Sequence, residues 1–542
     1  MKRLFKFTSI VLVVLISVTM LASCATGDKL PRNYTKLPDY SQSDKNYEFL
    51  AASGPMNGTF NINSEYVQLG PDQRTEEGYK TFLNAGFNLV YLSGTASNCE
   101  PNFEESECKR AMVAAYKAGA RKIVLQDVRI WKLSEKGDNL IGMDGEYKTF
   151  EDLVAQVKSY MSDYIEQDGF YGIELRDEPK GAWKVADRWV YKAVYTAWQE
   201  LVEERNIQKP IKDYIFIYQN LFPYTNNYSF FGKPGEFESI EEAYINYVES
   251  HLSPTIEGVV DANGEPIEFM VPDILSADVY APRTSGLSLD FYVTALLLRE
   301  LCAKYGVRPA FCLSSFETGG YRGPYFSDMM LEMYSLIGMG YDNFTYYTYQ
   351  PAETRKSLAE WNDQFCFMTA RGEKTHVYYA GQKLMGWAQK MGQIILNYDY
   401  QGAKFYFSEN PTFGVERYLM GNVGSVTLAT GGESQNKSAL TFDNTKHAFK
   451  LLKDVKVSNS VAFVTELYDA ENQLYMYMLQ NSKDPSHGKD EDTSEDMVAT
   501  FDSSYTHVAK IKDGNLSYVA LNKGVYSETL SAGQAVYLVP LK

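Results

Sequence analysis

Between about residue 56 and residue 350, short β-branched or aromatic runs alternate with helix-period segments, eight times over. No other feature constrains the fold as strongly. When a helix carries the chain back between two strands, those strands pair in parallel. The strand candidates are Asn57–Ile62, Asn88–Leu92, Lys122–Leu125, Gly172–Leu175, Tyr214–Tyr218, Ile274–Val279, Pro309–Leu313 and Asn343–Tyr347. Helical segments between them include Glu76–Ala85, Glu107–Ala118, Phe150–Gln167, Trp183–Glu204, Leu289–Tyr305 and Tyr325–Met339. Gly86, Gly119, Gly306 and Gly340 stand where a helix C-terminus favours glycine. Eight such units fit a (β/α)8 TIM barrel better than an open doubly wound sheet. No GxGxxG follows the first strand, so no dinucleotide site is expected.

After about residue 395 strands follow strands: Ala403–Ser408, Val461–Leu467, Leu474–Leu479, Met497–Phe501, Val508–Lys512, Leu516–Leu521 and Ala535–Val539. Turn signals such as Asp513-Gly514-Asn515 separate them, which predicts an antiparallel β-sandwich. The acidic stretch Ser482–Asp496 reads as a long exposed loop. The expected domains are therefore a barrel over 51–395 and a β-sandwich over 396–542.

The first residues read as targeting rather than fold. Lys2 and Arg3 precede an apolar run from Ile10 to Leu21, the pattern of a secretory signal, too short for a typical spanning helix. Leu21-Ala22-Ser23-Cys24 resembles a bacterial lipobox. The resemblance implies a signal peptide over 1–23, a lipid anchor on Cys24 and a domain held outside the cytoplasm at the cell membrane or the outer membrane. Residues 24–50 read as a polar tether.

Among the other cysteines, Cys99 and Cys108 share a polar segment that an exported protein could staple. Cys302 and Cys312 sit in apolar contexts that favour buried thiols. No CxxC occurs and the five histidines lack ligand spacing, so neither a metal nor a cofactor is expected. The net charge of −17 argues against nucleic acid as a partner, because phosphate backbones require a basic surface. The 42 tyrosines suit amphipathic ligands such as sugars, although most such rings serve a core.

Barrel chemistry sits where the strands end. Strand 4 runs into Glu174-Leu175-Arg176-Asp177-Glu178-Pro179, and strand 7 into Ser314-Ser315-Phe316-Glu317. Two carboxylates at one mouth suit cleavage of an acetal. One protonates the leaving oxygen and the other stays ionised to attack the anomeric carbon.

A glutamate-proline pair ending strand 4 with a lone glutamate ending strand 7 resembles the clan A glycoside hydrolases. The resemblance implies a retaining hydrolase with Glu178 as acid/base and Glu317 as nucleophile. It places Tyr280 near the end of strand 6 as the nucleophile's hydrogen-bond partner, and an aromatic platform after strand 8 at Tyr346, Tyr347 or Tyr349. A shift of strand register would bring Asp278 forward in place of Tyr280. The clan usually carries Asn before the acid/base to donate to a sugar hydroxyl. Here Asp177 stands there, and an ionised Asp accepts but does not donate. Asp127 and Trp131 after strand 3 are further candidate sugar contacts, as are Tyr224 and Arg322. The alternative is a non-catalytic carbohydrate-binding surface lipoprotein on the same barrel.

Overall fold

The computed structural model describes residues 30–542 apart from 31, 63–64, 101, 143, 208–215, 225–227, 233–235, 262, 285, 289, 318–319, 352–362, 409–424, 428–440 and 486–492. Eight parallel strands form the barrel: β1 Glu48–Ala51, β2 Val90–Leu92, β3 Ile123–Leu125, β4 Phe170–Asp177, β5 Phe216–Leu221, β6 Ile274–Asp278, β7 Arg308–Ser314 and β8 Asn343–Tyr347. Each pairs with its successor from β2 onward, and β8 pairs back to β1 with Glu48 opposite Asn343. The seam between β1 and β2 is closed by the Asn88 and Leu89 amides, which both donate to the Phe49 carbonyl at 3.2 Å.

A helix follows each strand: α1 Glu76–Asn84, α2 Glu107–Ala118, α3 Phe150–Met161, α4 Lys184–Arg205, α5 Ile240–Leu252, α6 Asp290–Tyr305, α7 Phe326–Gly338 and α8 His376–Ile395. The expected glycines close α1, α2, α6 and α7 in left-handed geometry, with φ of 112°, 113°, 70° and 81° at Gly86, Gly119, Gly306 and Gly340.

Strand 1 is not where the sequence pattern puts it. Thr59–Ile62 pairs with Glu65–Gln68 as an antiparallel hairpin outside the barrel. Its alternating polar residues suit a half-exposed ribbon. The true β1, Glu-Phe-Leu-Ala, is buried at every position, as a parallel strand covered on both faces must be. Accordingly residues 32–47 are not a loose tether but a strap laid on the C-terminal domain. Tyr40 donates to Asp469 at 2.6 Å, and the Leu37 amide donates to the Tyr518 hydroxyl at 3.0 Å. Residues 1–29, with the signal peptide and Cys24, lie outside the described residues.

The C-terminal domain is an antiparallel β-sandwich. One sheet has the order 399–407, 461–469, 474–481, 535–541, 507–512, 515–520, and the other 454–457, 495–500, 525–530. Val455, Val464, Leu479, Met497 and Leu538 share the core between them. The larger sheet packs its other face on α7, which is why that helix is buried on nearly all sides. Ser335 of α7 donates to Gln480 at 2.6 Å, and Gln480 donates back to the Leu331 carbonyl at 2.9 Å. At Gly338 the approach is so close that a Cβ would stand 2.4 Å from Met478 Sδ. The stretch expected as an exposed loop begins instead with buried Lys483 and Asp484, because it crosses from the sandwich onto the barrel.

Candidate active site

The C-terminal ends of the barrel strands enclose a cavity of about 420 Å³, a size typical of small-molecule sites. Its wall holds four carboxylates, from Glu174, Asp177 and Glu178 on or just after β4 and Asp278 on β6. Opposite them stand Tyr280, Phe316, Tyr321 and Tyr347.

The carboxylates owe their positions to one irregularity. Between Glu174, opposite Tyr218, and Asp177, opposite Asn220, β4 carries one residue more than β5. This bulge reverses the two-residue alternation of side chains, so that Glu174 and Asp177 both line the cavity. Arg176 is thereby turned out of it. Its guanidinium lies 4.6 Å from the Trp131 ring and 4.3 Å from the Trp183 ring, and it donates to the Trp131 carbonyl. Asn220 Nδ2 donates to Asp177 Oδ1 at 2.9 Å. Glu178 then leaves the strand in left-handed geometry, φ 47°, with its amide donating to the Asn220 carbonyl. A non-glycine residue held there costs about 1 kcal/mol or more. Pro179 beyond it is pinned by the Tyr247 hydroxyl at 2.7 Å.

Glu174 lies on the floor of the cavity and accepts from the Tyr91 hydroxyl and, at 2.6 Å, from Gln126. Burial, with repulsion from Asp177, raises its pKa to about 8. Asp278 shares a hydrogen bond with Glu178. Burial first, then repulsion from Glu178 and Asp177, raises the Asp278 carboxyl well above the usual carboxylate range. The Tyr280 hydroxyl donates to Asp278 at 3.4 Å. Two carboxyls joined in this way hold one proton between them, because both cannot ionise at close range.

The aromatic wall is a contiguous set. Tyr280 meets Phe316 edge-on at 4.8 Å and Tyr321 at 5.5 Å, and Phe316 meets Tyr347 at 5.3 Å. Glu332 of α7 locks its backbone, accepting from the amides of Ala281 at 2.8 Å and Ser314 at 2.9 Å. Its own pKa is raised to about 8 by burial.

The cavity therefore gathers Asp177, Glu178, Tyr280 and Tyr347 from the expected set. Glu317 is not among its described lining residues. It directly follows the lining residue Phe316, beyond the end of β7 at Ser314. Asp127 instead caps the short helix Val128–Trp131 and pairs with Arg129 at 2.8 Å. Trp131 stacks on Arg176, away from the cavity. Tyr349 is buried against Phe82, Phe87 and Phe367, and Tyr346 against Phe87 and Phe367. Tyr224 packs on Tyr244 in the core.

Glu174 and Asn220 were missed. An acidic side chain in an otherwise apolar parallel strand was the available signal for Glu174. Asn220 was lost because the strand 5 candidate ended three residues early, at Tyr218 rather than Leu221.

Cys99 and Cys108 are both buried free thiols. Among the described residues no cluster of three or more His, Cys, Asp or Glu is arranged to hold a metal ion. A larger hollow of about 750 Å³ lies at the opposite end of the barrel, the face where barrels carry stability rather than chemistry. There Lys122 pairs with Glu48, and Arg308 lies 3.7 Å from Asp342.

No family model matches the chain, and no curated protein matches it. Solved structures similar to it include a β-galactosidase from Marinomonas ef1, 9% identical with TM-score 0.39, covering 64% of this chain and 60% of that one. A glycoside hydrolase family 5 protein from Bacteroides vulgatus is 10% identical with TM-score 0.39, covering 92% and 89%. A GH30 endoxylanase from Clostridium papyrosolvens is 10% identical with TM-score 0.37, covering 92% and 97%.

Proposed function

We propose that this chain hydrolyses O-glycosidic bonds of a glycan or oligosaccharide. The observation that carries the reading is the Glu178–Asp278 pair, two hydrogen-bonded carboxyls facing an aromatic wall at the mouth of a (β/α)8 barrel. Acetal cleavage needs one protonated and one ionised carboxyl, and a barrel mouth that gathers several carboxyls is suited to supply them. Glu178 acts as acid/base, as its place before Pro179 implies. It gives its proton to the leaving oxygen and later takes one from water. The nucleophile that attacks the anomeric carbon is Glu317 after β7, as the clan A pattern implies. The route is a double displacement that retains configuration. Asp177, held by Asn220, accepts from a sugar hydroxyl, and the rings of Tyr280, Phe316 and Tyr347 pack on the apolar faces of the sugar.

The test is a screen of aryl glycosides and plant, host and microbial glycans, with product configuration read by NMR. Glu178→Ala should slow substrates with poor leaving groups far more than activated aryl glycosides, and azide should rescue it with retention. Glu317→Ala should lose nearly all turnover, and azide should then give the inverted product. Inversion by the wild type, or full activity in Glu317→Ala, would refute this assignment. Tight glycan binding with no turnover would favour the non-catalytic lipoprotein.

We also propose export and lipid anchoring through Cys24. Cys24→Ser should release the protein from the membrane fraction. Unchanged retention and an unchanged N-terminal peptide mass would refute the anchor. Among the described residues no helix is long and apolar enough to cross a membrane.

A further inference from the structure

Behind the aromatic wall sits Arg322, in the segment between β7 and α7. Its Nη2 pairs with Asp328 in the first turn of α7 and, at 2.9 Å, with Asp484. Asp484 belongs to the sandwich. It follows the strand Leu474–Asn481 and is buried against the barrel. The other terminal nitrogen, Nη1, donates to the carbonyls of Arg283 at 2.9 Å and Gly286 at 3.3 Å. One guanidinium thus ties together the segment after β6, the segment before α7, and the second domain. A planar group with several fixed donors is suited to hold four acceptors in this way.

What Arg322 holds is the outer edge of the cavity. Tyr321, its neighbour in the chain, lines the cavity. The Arg283 guanidinium lies 3.9 Å from the centre of the Tyr321 ring, and Tyr321 packs on Tyr280 and Phe316. If Asp484 lets go, Arg322 keeps Asp328, but it loses the contact that fixes it from the side of the sandwich.

We propose that Asp484 is a positioning residue of the active site. Through Arg322 it sets the Arg283–Tyr321 edge that binds sugar, so the sandwich takes part in substrate binding without touching substrate. The inference rests on the cavity being the glycoside site. A merely structural Asp484 would weaken the interface between the domains as a whole. A positioning Asp484 acts on the cavity edge and on binding.

Two readouts on the full chain separate these cases. The first is hydrogen exchange, which needs no substrate. In Asp484→Ala the segments 280–288 and 320–325 should exchange about tenfold faster, the factor expected when one charge-assisted bond is lost. Residues 461–481 should keep wild-type protection. The second readout uses the best aryl glycoside found for the wild type. KM should rise about tenfold with kcat within about threefold, because the edge binds sugar and does no bond chemistry. Asp484→Glu should recover most of both effects. Unchanged exchange at the two segments would overturn the proposal. So would loss of protection throughout 461–481, or a fall in kcat with KM unchanged. If the wild type cleaves no glycoside at all, the hydrolase reading fails, while exchange still decides whether Asp484 holds the cavity edge.

Discussion

Glu174 is the group whose replacement tests the electrostatics of the cavity most directly. It is fully enclosed on β4, and burial with repulsion from Asp177 lifts its pKa from 4.5 to about 8. The folded protein therefore holds a proton there that the unfolded chain releases. Between the two pKa values the folded state binds more protons, so stability falls as pH rises. A shift of this size is worth about 3 kcal/mol between about pH 5.5 and about pH 8.5. In Glu174→Gln the amide oxygen can keep the hydrogen bonds from Tyr91 and Gln126, and nothing is left to ionise. The advantage of the variant over the wild type should grow by about 3 kcal/mol from the lower pH to the higher one. Urea unfolding of both proteins at the two pH values measures the double difference, in which every other titrating group cancels. Parallel pH–stability curves would show that Glu174 is ionised in the fold and refute the reasoning.

Three further outcomes follow from other parts of the fold. Glu332→Gln should cost about 1–3 kcal/mol in urea unfolding, because an amide cannot accept from both the Ala281 and Ser314 N–H groups through two oxygens. His251 is buried and its pKa is lowered to about 3, so it loses its stabilising neutrality as acid protonates the unfolded chain first. His251→Gln should flatten the stability curve between about pH 6.5 and about pH 3, and an unchanged acid limb in that titration would contradict this. Gly338→Ala should cost about 1–3 kcal/mol by overpacking the domain interface. Part of that cost should return in thermal unfolding when Met478, the side chain in its way, is shortened to Ala.

Seven of the eight barrel strands were legible because buried parallel strands are short apolar runs set off by helices. β1 was not, because Glu48–Ala51 adjoins a polar segment and the later run 57–62 looked more like a strand. Asp177 and Glu178 were legible from their place at a strand end. Which of Asp278 and Tyr280 would stand beside Glu178 was not, since that depends on which parity each strand turns inward, and a bulge changes parity without any mark in composition. Asp127 and Trp131 have the residue types of a sugar site, but Arg129 and Arg176 engage them first. The role of Asp484 lay beyond any local reading, because its partner Arg322 is 162 positions away in the chain.

The extra residue in β4 also makes the strand able to absorb one particular deletion. Removing Leu175 would restore regular alternation, so that the residue two places after Glu174 in the repaired strand shares its face. In the shortened strand that residue is Asp177, still opposite Asn220, while Arg176 now adjoins Glu174 and stays turned outward. Glu178 would keep its level at the mouth. What the strand would lose is the bulge itself, with the local bend and added twist that it gives.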